Sequence, residues 1–201
     1  MYCDIMKTEV IMKNVVYFHG IHGDTQKSIA PYLETEFKNL GITMYYPQFF
    51  NTETCSYEAF EKIANQLLND GVINNETIVI SHSIGNSFSI RFLFEHNLKP
   101  FAYISLAGYC DKFPLNNEDI KNKIYNALPT KEQLRYLAEN VEKRISLYSN
   151  DHLIPEDLLK NFSKQIYSTL YYLENKGHFG IRMEIQELPE LIEILKENQI
   201  I

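Results

Sequence analysis

The sequence has no tryptophan, few cysteines and no apolar run that approaches the roughly 20 residues needed to cross a bilayer. Its three cysteines are odd in number, far apart and without a C-x-x-C pair: Cys3, Cys55 and Cys110. This pattern argues against a disulfide framework and against a zinc site. Charged side chains interrupt the first 13 residues, so we expect neither a signal peptide nor a membrane anchor. A cytoplasmic protein with reduced thiols is the expectation.

Positive charge is also scarce. Lys and Arg number 19 against 26 Asp and Glu, which gives a formal net charge of -7, and no basic run is long enough to follow a phosphate backbone. Nucleic acid is therefore not an expected partner. With 201 residues, of which 45% are hydrophobic and 22% charged, the chain is long enough to bury a full core without disordered segments. We predict one domain over residues 1–201.

Short β-branched and aromatic runs alternate with stretches of helical period, which is typical of a parallel sheet covered by helices. Several of the runs are apolar at consecutive positions, as in strands buried on both faces. The pattern predicts an α/β fold, a three-layer sandwich with a mostly parallel six-stranded sheet flanked by helices. The six predicted strands are Asn14 to Phe18, Ile42 to Tyr46, Thr77 to Ile80, Phe101 to Leu106, Arg144 to Tyr148 and Ser168 to Leu173.

Two helical segments follow one another without an intervening strand in residues 109–140, which breaks this alternation. Thr130 and Gln133 form a candidate capping box for the second segment. In a doubly wound sheet, ligands bind at the carboxyl edge of the strands, where an insertion of this kind tends to lie. We interpret residues 109–140 as a small helical cap.

The strand that ends at Ile80 is followed by Ser81-His82-Ser83-Ile84-Gly85 and then by a mostly apolar helix. A serine nucleophile elbow requires this setting, because its central residue occupies a sharp strand-to-helix turn flanked by small residues. Ser83 is the predicted nucleophile. The alternative is an ordinary loop in which Ser81 or Ser83 caps the helix.

A serine hydroxyl needs a base and an acid to become a nucleophile, and the expected chain order is Ser, acid, His. Asp151 and His178 follow the last two predicted strands in this order. Because the carboxyl ends of parallel strands meet at one edge of the sheet, both side chains are expected above Ser83. Two alternatives remain open: His152 is a rival base, and Asp111, after the preceding strand, is a rival acid.

Two backbone N–H groups are candidates for an oxyanion hole, those of Ile84 and Ile21. Ile21 lies in His19-Gly20-Ile21-His22-Gly23, whose glycines allow an amide to face the site. The alternative is a flexible glycine loop without a catalytic role. His19 and His22 form an H-x-x-H pair, but without a third ligand at a convincing spacing we predict that His19 orders the loop through a hydrogen bond.

With these motifs, the sequence resembles the retinoblastoma-binding-protein-9-like (YdeN-like) serine hydrolases, which are compact proteins of the α/β-hydrolase fold. The resemblance runs nearly end to end, through His19-Gly20, Ser81 to Gly85, Asp151-x-x-Ile154-Pro155, Gly177-His178-Phe179 and the Leu-Pro-Glu-Leu segment at Leu188 to Leu191. It implies hydrolysis of small esters or related acyl compounds, with no metal or organic cofactor and a small-molecule ester or acyl substrate as partner.

The sequence departs from the family at two positions of the elbow. Ser81 replaces the usual glycine, and Asn86 occupies a position where a very small residue is common. The alternative function is therefore a non-catalytic binding protein of the same fold. The aromatic content predicts a pocket lined partly by rings, with Tyr109, Phe113 and Phe179 as candidates.

Overall fold

The computed structural model describes residues 13–21, 23–180 and 185–201. Within them the sheet has six strands in the order β2-β1-β3-β4-β5-β6, and every neighbouring pair is parallel. The predicted α/β class is confirmed, with an all-parallel sheet where a mostly parallel one was expected. The strands are β1 (Asn14–Phe18), β2 (Thr43–Tyr45), β3 (Ile78–His82), β4 (Ala102–Leu106), β5 (Lys143–Tyr148) and β6 (Thr169–Tyr172).

Seven α-helices flank the sheet in the described residues, and a short 3-10 helix spans Thr25–Lys27. The hydroxyl of Ser56 caps the second helix, and Thr130 with Gln133 forms the predicted capping box of the fifth. The helices are α1 (Ala30–Asn39), α2 (Tyr57–Asn69), α3 (Ile84–Glu95), α4 (Glu118–Ala127), α5 (Lys131–Asn140), α6 (Glu156–Gln165) and α7 (Pro189–Glu197).

Over the residues described, no helix combines the length and apolar character that crossing a bilayer requires.

Burial follows the position of each strand in the sheet. Every residue of β3 and β4, which are central, is buried, whereas three of the four residues of the edge strand β6 are exposed. Helices cover both faces of a parallel sheet, so a central strand needs apolar side chains on both sides. The continuous apolar runs of the sequence correspond to these central strands.

The strand order reverses direction between β1 and β3, because β2 lies on one side of β1 and all later strands lie on the other. Parallel α/β sheets bind ligands in the crevice at such a switch point, outside the carboxyl ends of the strands. Here that crevice lies between the loop after Phe18 and the turn after His82. The fold therefore places the glycine loop and the proposed elbow side by side.

The segment 109–140 contains α4 and α5 without a strand between them, as expected. The two helices have different surroundings: α4 contributes Ile120 and Ile124 to the cavity above β3, while α5 packs against α3 and α6. The part of the segment that faces the cavity is therefore its first half. The single domain and the cap role of the segment stay predictions.

Candidate active site

Ser83 occupies a strained turn between β3 and α3. Its φ of 55° and ψ of -126° lie in a region that side chains rarely adopt, as a nucleophile elbow requires. A Cβ on Gly85 would collide with the carbonyl oxygen of Phe18, so only glycine lets α3 approach β1 this closely. The Ser83 hydroxyl makes no capping hydrogen bond to the helix, and the alternative in which it is a helix cap is wrong.

The structure brings the three predicted catalytic side chains together. The Ser83 hydroxyl lies 3.0 Å from His178 Nε2, and His178 Nδ1 lies 2.6 Å from Asp151 Oδ2. Nδ1–H therefore donates to the carboxylate, which leaves Nε2 as the acceptor for the serine proton. The arrangement has the geometry of an activated nucleophile with an oriented base. The catalytic roles themselves stay a prediction.

Asp151 is held as a carboxylate. Burial by itself would raise the pKa of this group, but the hydrogen bond and charge of His178 oppose it. The backbone N–H groups of Leu153 and Ile154 also donate to Oδ1, at 2.8 and 3.2 Å. Together these contacts lower the pKa of Asp151 below its usual value. The acid that faces His178 is therefore ionised at neutral pH.

The two rival residues have other surroundings. Asp111 accepts a hydrogen bond from Asn161 Nδ2 at 2.7 Å, and its only other described side-chain contact is with Cys110. His152 is exposed at the cavity, and the described hydrogen bonds include none from it to Ser83 or Asp151. The geometry therefore favours Asp151 as acid and His178 as base.

Exchange of the acid for an amide tests this assignment. In Asp151→Asn the amide N–H₂ faces His178 Nδ1 and favours the tautomer that carries its proton on Nε2, which cannot accept from Ser83. We expect kcat for a short activated ester to fall about a hundredfold or more. The amide oxygen can still accept from Leu153 and Ile154, so the Tm should barely change. The matched control Asp111→Asn should keep kcat within about fivefold of the parent, and a larger loss there than in Asp151→Asn would place the acid after β4.

Both candidate oxyanion donors lie beside Ser83. Ile84 is the first residue of α3, so its N–H has no partner within the helix. Gly20, which precedes Ile21, packs so closely that an added Cβ would lie 3.1 Å from the Ser83 Cβ. The loop after β1 therefore reaches Ser83, and the oxyanion role of Ile84 and Ile21 stays a prediction.

His19 orders this loop, as predicted. Its Nδ1–H donates to the carbonyl of Gly20 at 2.8 Å, and its Nε2 accepts from the N–H of Phe49 at 3.0 Å. Burial lowers the pKa of His19, which favours the neutral ring that these bonds require. His22, the other half of the H-x-x-H pair, lies outside the described residues. In the part of the chain described, no group of three or more His, Cys, Asp or Glu is placed to hold a metal ion.

Ser81 and Asn86 form a buried polar network at the elbow that the sequence analysis did not predict. Asn86 Nδ2 lies within 3.2 Å of the carbonyl oxygens of Ser81, Ser83 and Leu106. Its Oδ1 accepts from the hydroxyl of Tyr103 at 3.1 Å. The extra hydroxyl of Ser81 pairs with Ser89 at 2.8 Å. Asn86 therefore links both sides of the elbow to β4 through hydrogen bonds.

His82 connects the elbow to the loop that carries His178. Its Nε2–H donates to the backbone carbonyl of His178 at 2.7 Å, and the ring is 8% exposed. Burial, assisted by the nearby charge of His178, lowers the pKa of His82 from 6.5 to about 3. The ring is therefore a neutral donor that holds the His178 loop.

This depressed pKa predicts a pH dependence of stability. Below pH 6.5 the unfolded chain takes up a proton on His82, whereas the folded protein does not. The contribution of His82 to the free energy of unfolding is therefore fully present above pH 6.5 and is lost as the pH falls toward 3. At pH 5 the expected loss is about 2 kcal/mol, and His19 adds to it in the same direction. Urea unfolding of the parent and of His82→Gln at pH 7.5 and 5 checks this. An unchanged pH dependence in the variant would contradict the assignment.

A cavity of about 450 Å³ opens above Ser83. The three predicted aromatic residues, Tyr109, Phe113 and Phe179, all line it. Among the described residues that line it, none is Asp, Glu, Lys or Arg. Six are aliphatic, namely Ile21, Leu115, Ile120, Ile124, Leu153 and Ile154, and four are histidines, namely His19, His82, His152 and His178. The volume and lining suit a small neutral organic molecule.

The chain matches no protein-family model and no curated protein sequence. Its structure is similar to that of the ydeN gene product from B. subtilis, with a TM-score of 0.80 and 18% sequence identity over 92% of this chain and 97% of that chain. A carboxylesterase structure from Nitrososphaera gargenis has a TM-score of 0.70 and 15% identity, covering 94% and 90% of the two chains. Est1E from Butyrivibrio proteoclasticus, with ferulic acid bound, has a TM-score of 0.69 and 12% identity, covering 93% and 88%. The chain has the α/β-hydrolase fold of these proteins.

Proposed function

From this fold and site, we propose that the protein is a serine hydrolase that cleaves small carboxylic esters or related acyl compounds through a covalent acyl-enzyme. The observation that carries the proposal is the continuous set of hydrogen bonds from Ser83 through His178 to Asp151, at the base of an apolar cavity. The structural neighbours support it, since their descriptions name carboxylesterases and a thioesterase domain.

In the proposed reaction, Ser83 Oγ attacks the carbonyl carbon of the substrate while its proton passes to His178 Nε2. Asp151, ionised and 2.6 Å from Nδ1, stabilises the imidazolium that forms. The N–H groups of Ile84 and Ile21 bind the oxyanion. His178 then returns the proton to the leaving alcohol, and Ser83 keeps the acyl group. A water molecule, deprotonated by His178, releases the acid and restores Ser83.

The strained conformation of Ser83 and the rigid setting of His178 both favour this chemistry. A nucleophile held at positive φ points away from the sheet and toward the cavity. His178 is fixed from two sides, by Asp151 at its ring and by His82 at its backbone carbonyl. Groups held in reacting geometry before substrate binds lose little freedom in the transition state.

A fluorophosphonate probe tests the proposal, because only an activated serine reacts with it. We expect about one phosphonyl group per chain, attached to Ser83 as located by peptide mass spectrometry, together with hydrolysis of p-nitrophenyl butyrate. Heat-unfolded protein is the control and should remain unlabelled. A native protein that takes no label would favour the alternative of a non-catalytic binding protein of this fold.

A further inference from the structure

The loop that carries His178 is built from tight turns. Three residues of its described part have a φ between 51° and 59°, namely Asn175, Gly177 and Phe179. The backbone pairing of β5 with β6 ends just before this loop, where the N–H of Leu173 donates to the carbonyl of Tyr148 at 2.8 Å. Backbone N–H groups beyond that point lie outside the ladder of the sheet and need other partners.

Two side chains from the loop after β5 supply such partners. The Ser149 hydroxyl oxygen accepts from the N–H of Lys176 at 2.8 Å, and Asn150 Oδ1 accepts from the N–H of Gly177 at 3.3 Å. The Ser149 O–H also donates to Asn150 Oδ1 at 2.8 Å, which orients both acceptors. The two residues directly before His178 are therefore held by the two residues directly before the acid.

The two loops thus contact each other in register. Ser149, Asn150 and Asp151 contact three consecutive residues that end at His178, each through a hydrogen bond. Asp151 holds the imidazole ring, and the other two side chains hold the backbone from which this ring extends. The acid loop therefore fixes both the ring and the backbone of the proposed base.

Ser149 is remote from any bound substrate. The side chain is 2% exposed, and neither Ser149 nor Asn150 is among the described residues that line the cavity. A molecule bound above Ser83 therefore does not meet either side chain. An effect of Ser149 on the reaction must pass through the position of the base or of the acid.

We propose that Ser149 is a positioning residue, whose hydroxyl anchors the backbone at Lys176 and so maintains the 3.0 Å distance between His178 Nε2 and the Ser83 hydroxyl. Proton transfer depends steeply on the geometry of donor and acceptor, so a looser loop should slow the attack of Ser83. This inference rests on the proposed esterase function, because it concerns the base of that reaction.

Ser149→Ala tests the inference, because it leaves the N–H of Lys176 without this acceptor. We expect kcat for p-nitrophenyl butyrate and the second-order rate constant of fluorophosphonate labelling at Ser83 both to fall about tenfold or more. A loss of folded protein would lower the fraction of chains labelled and leave the rate constant of the folded fraction unchanged. The labelling time course therefore separates positioning from stability.

The matched control is Ser146→Ala. Ser146 is a buried serine of β5, and its hydroxyl pairs with the Ser168 hydroxyl at 2.6 Å. The variant removes a buried hydrogen bond of the same kind, so its Tm should fall by a similar amount while both rate constants stay at the parent values. Asn150→Leu, at an exposed position where folding is not at risk, should slow both reactions in the same direction as Ser149→Ala.

Proton NMR observes the position of His178 without any reaction. The Nδ1 proton that His178 donates to Asp151 over 2.6 Å should give a signal far downfield, because a short charge-assisted hydrogen bond deshields its proton. The signal should be absent from His178→Ala. We expect it to shift or broaden in Ser149→Ala and to remain unchanged in Ser146→Ala.

Two kinds of failure can be told apart. If Ser149→Ala keeps the rate constants or the downfield signal of the parent, or if Ser146→Ala loses as much as Ser149→Ala, the inference is overturned and the esterase proposal stands. If fluorophosphonate does not label the native parent, the esterase proposal fails and the inference falls with it.

Discussion

Ser83→Ala should abolish hydrolysis of short activated esters and fluorophosphonate labelling together. Alanine leaves no oxygen for His178 to activate, and the loss of kcat/KM should reach about a thousandfold or more. The residual rate should be independent of His178, because the three side chains act as a unit. Initial rates with p-nitrophenyl butyrate, followed by labelling and mass spectrometry, measure both effects.

A glycine substitution at position 83 tests the backbone strain of Ser83. Glycine adopts the observed φ of 55° without the steric cost that any side chain has there. Ser83→Gly should therefore be as inactive as Ser83→Ala but more stable in thermal unfolding. Ser163→Ala, a buried serine that does not line the cavity, is the control and should keep full activity. Labelling that persists in Ser83→Ala would mean that another residue is the nucleophile.

His178→Ala should lower kcat/KM by a similar factor, about a thousandfold. The imidazole is the only described side chain that contacts both the Ser83 hydroxyl and the Asp151 carboxylate, so no other group takes its place. The matched variant His152→Ala removes an exposed imidazole next to the acid and should stay within about threefold of the parent. The reverse pattern would exchange the roles of the two histidines.

The pH profile adds independent evidence on the base. Activity of the parent should rise with pH to a plateau, because His178 must be unprotonated to accept the serine proton. Asp151 and His82 do not produce this rise, since the pKa of each is lowered by its surroundings, that of His82 to about 3. The profile of His152→Ala should match that of the parent. A profile that changes in this variant would contradict the assignment of the base to His178.

The fold could be predicted from the sequence because its main determinants are local. Apolar runs of four to six residues specify buried parallel strands, and caps such as Ser56 and Thr130 begin helices through contacts within a single turn. The elbow was recognisable for the same reason, since its pattern, a serine between small residues after an apolar strand and before an apolar helix, lies within a few positions of the chain. The positive φ of Ser83 is a consequence of that strand-to-helix turn.

The site was predictable only as a set of candidates. Ser83, Asp151 and His178 have the residue types and the chain order that acyl transfer needs, but Asp111 and His152 have the same chemistry at nearby positions. The choice between them depends on distances between residues far apart in the chain. Asp111 and Asp151 both follow a strand, yet loop geometry turns one toward Asn161 and the other toward His178.

The sequence by itself therefore determined the strand and helix pattern and the presence of a candidate nucleophile, acid and base, because these depend on residue type and on neighbours within a few positions. Only the tertiary structure decided how the elbow accommodates Asn86 and which carbonyl group accepts the hydrogen bond of His82. Each of these is a contact between segments that the strand order brings together. Hydrogen bonds act over about 3 Å, so their partners are known only when the segments are in place.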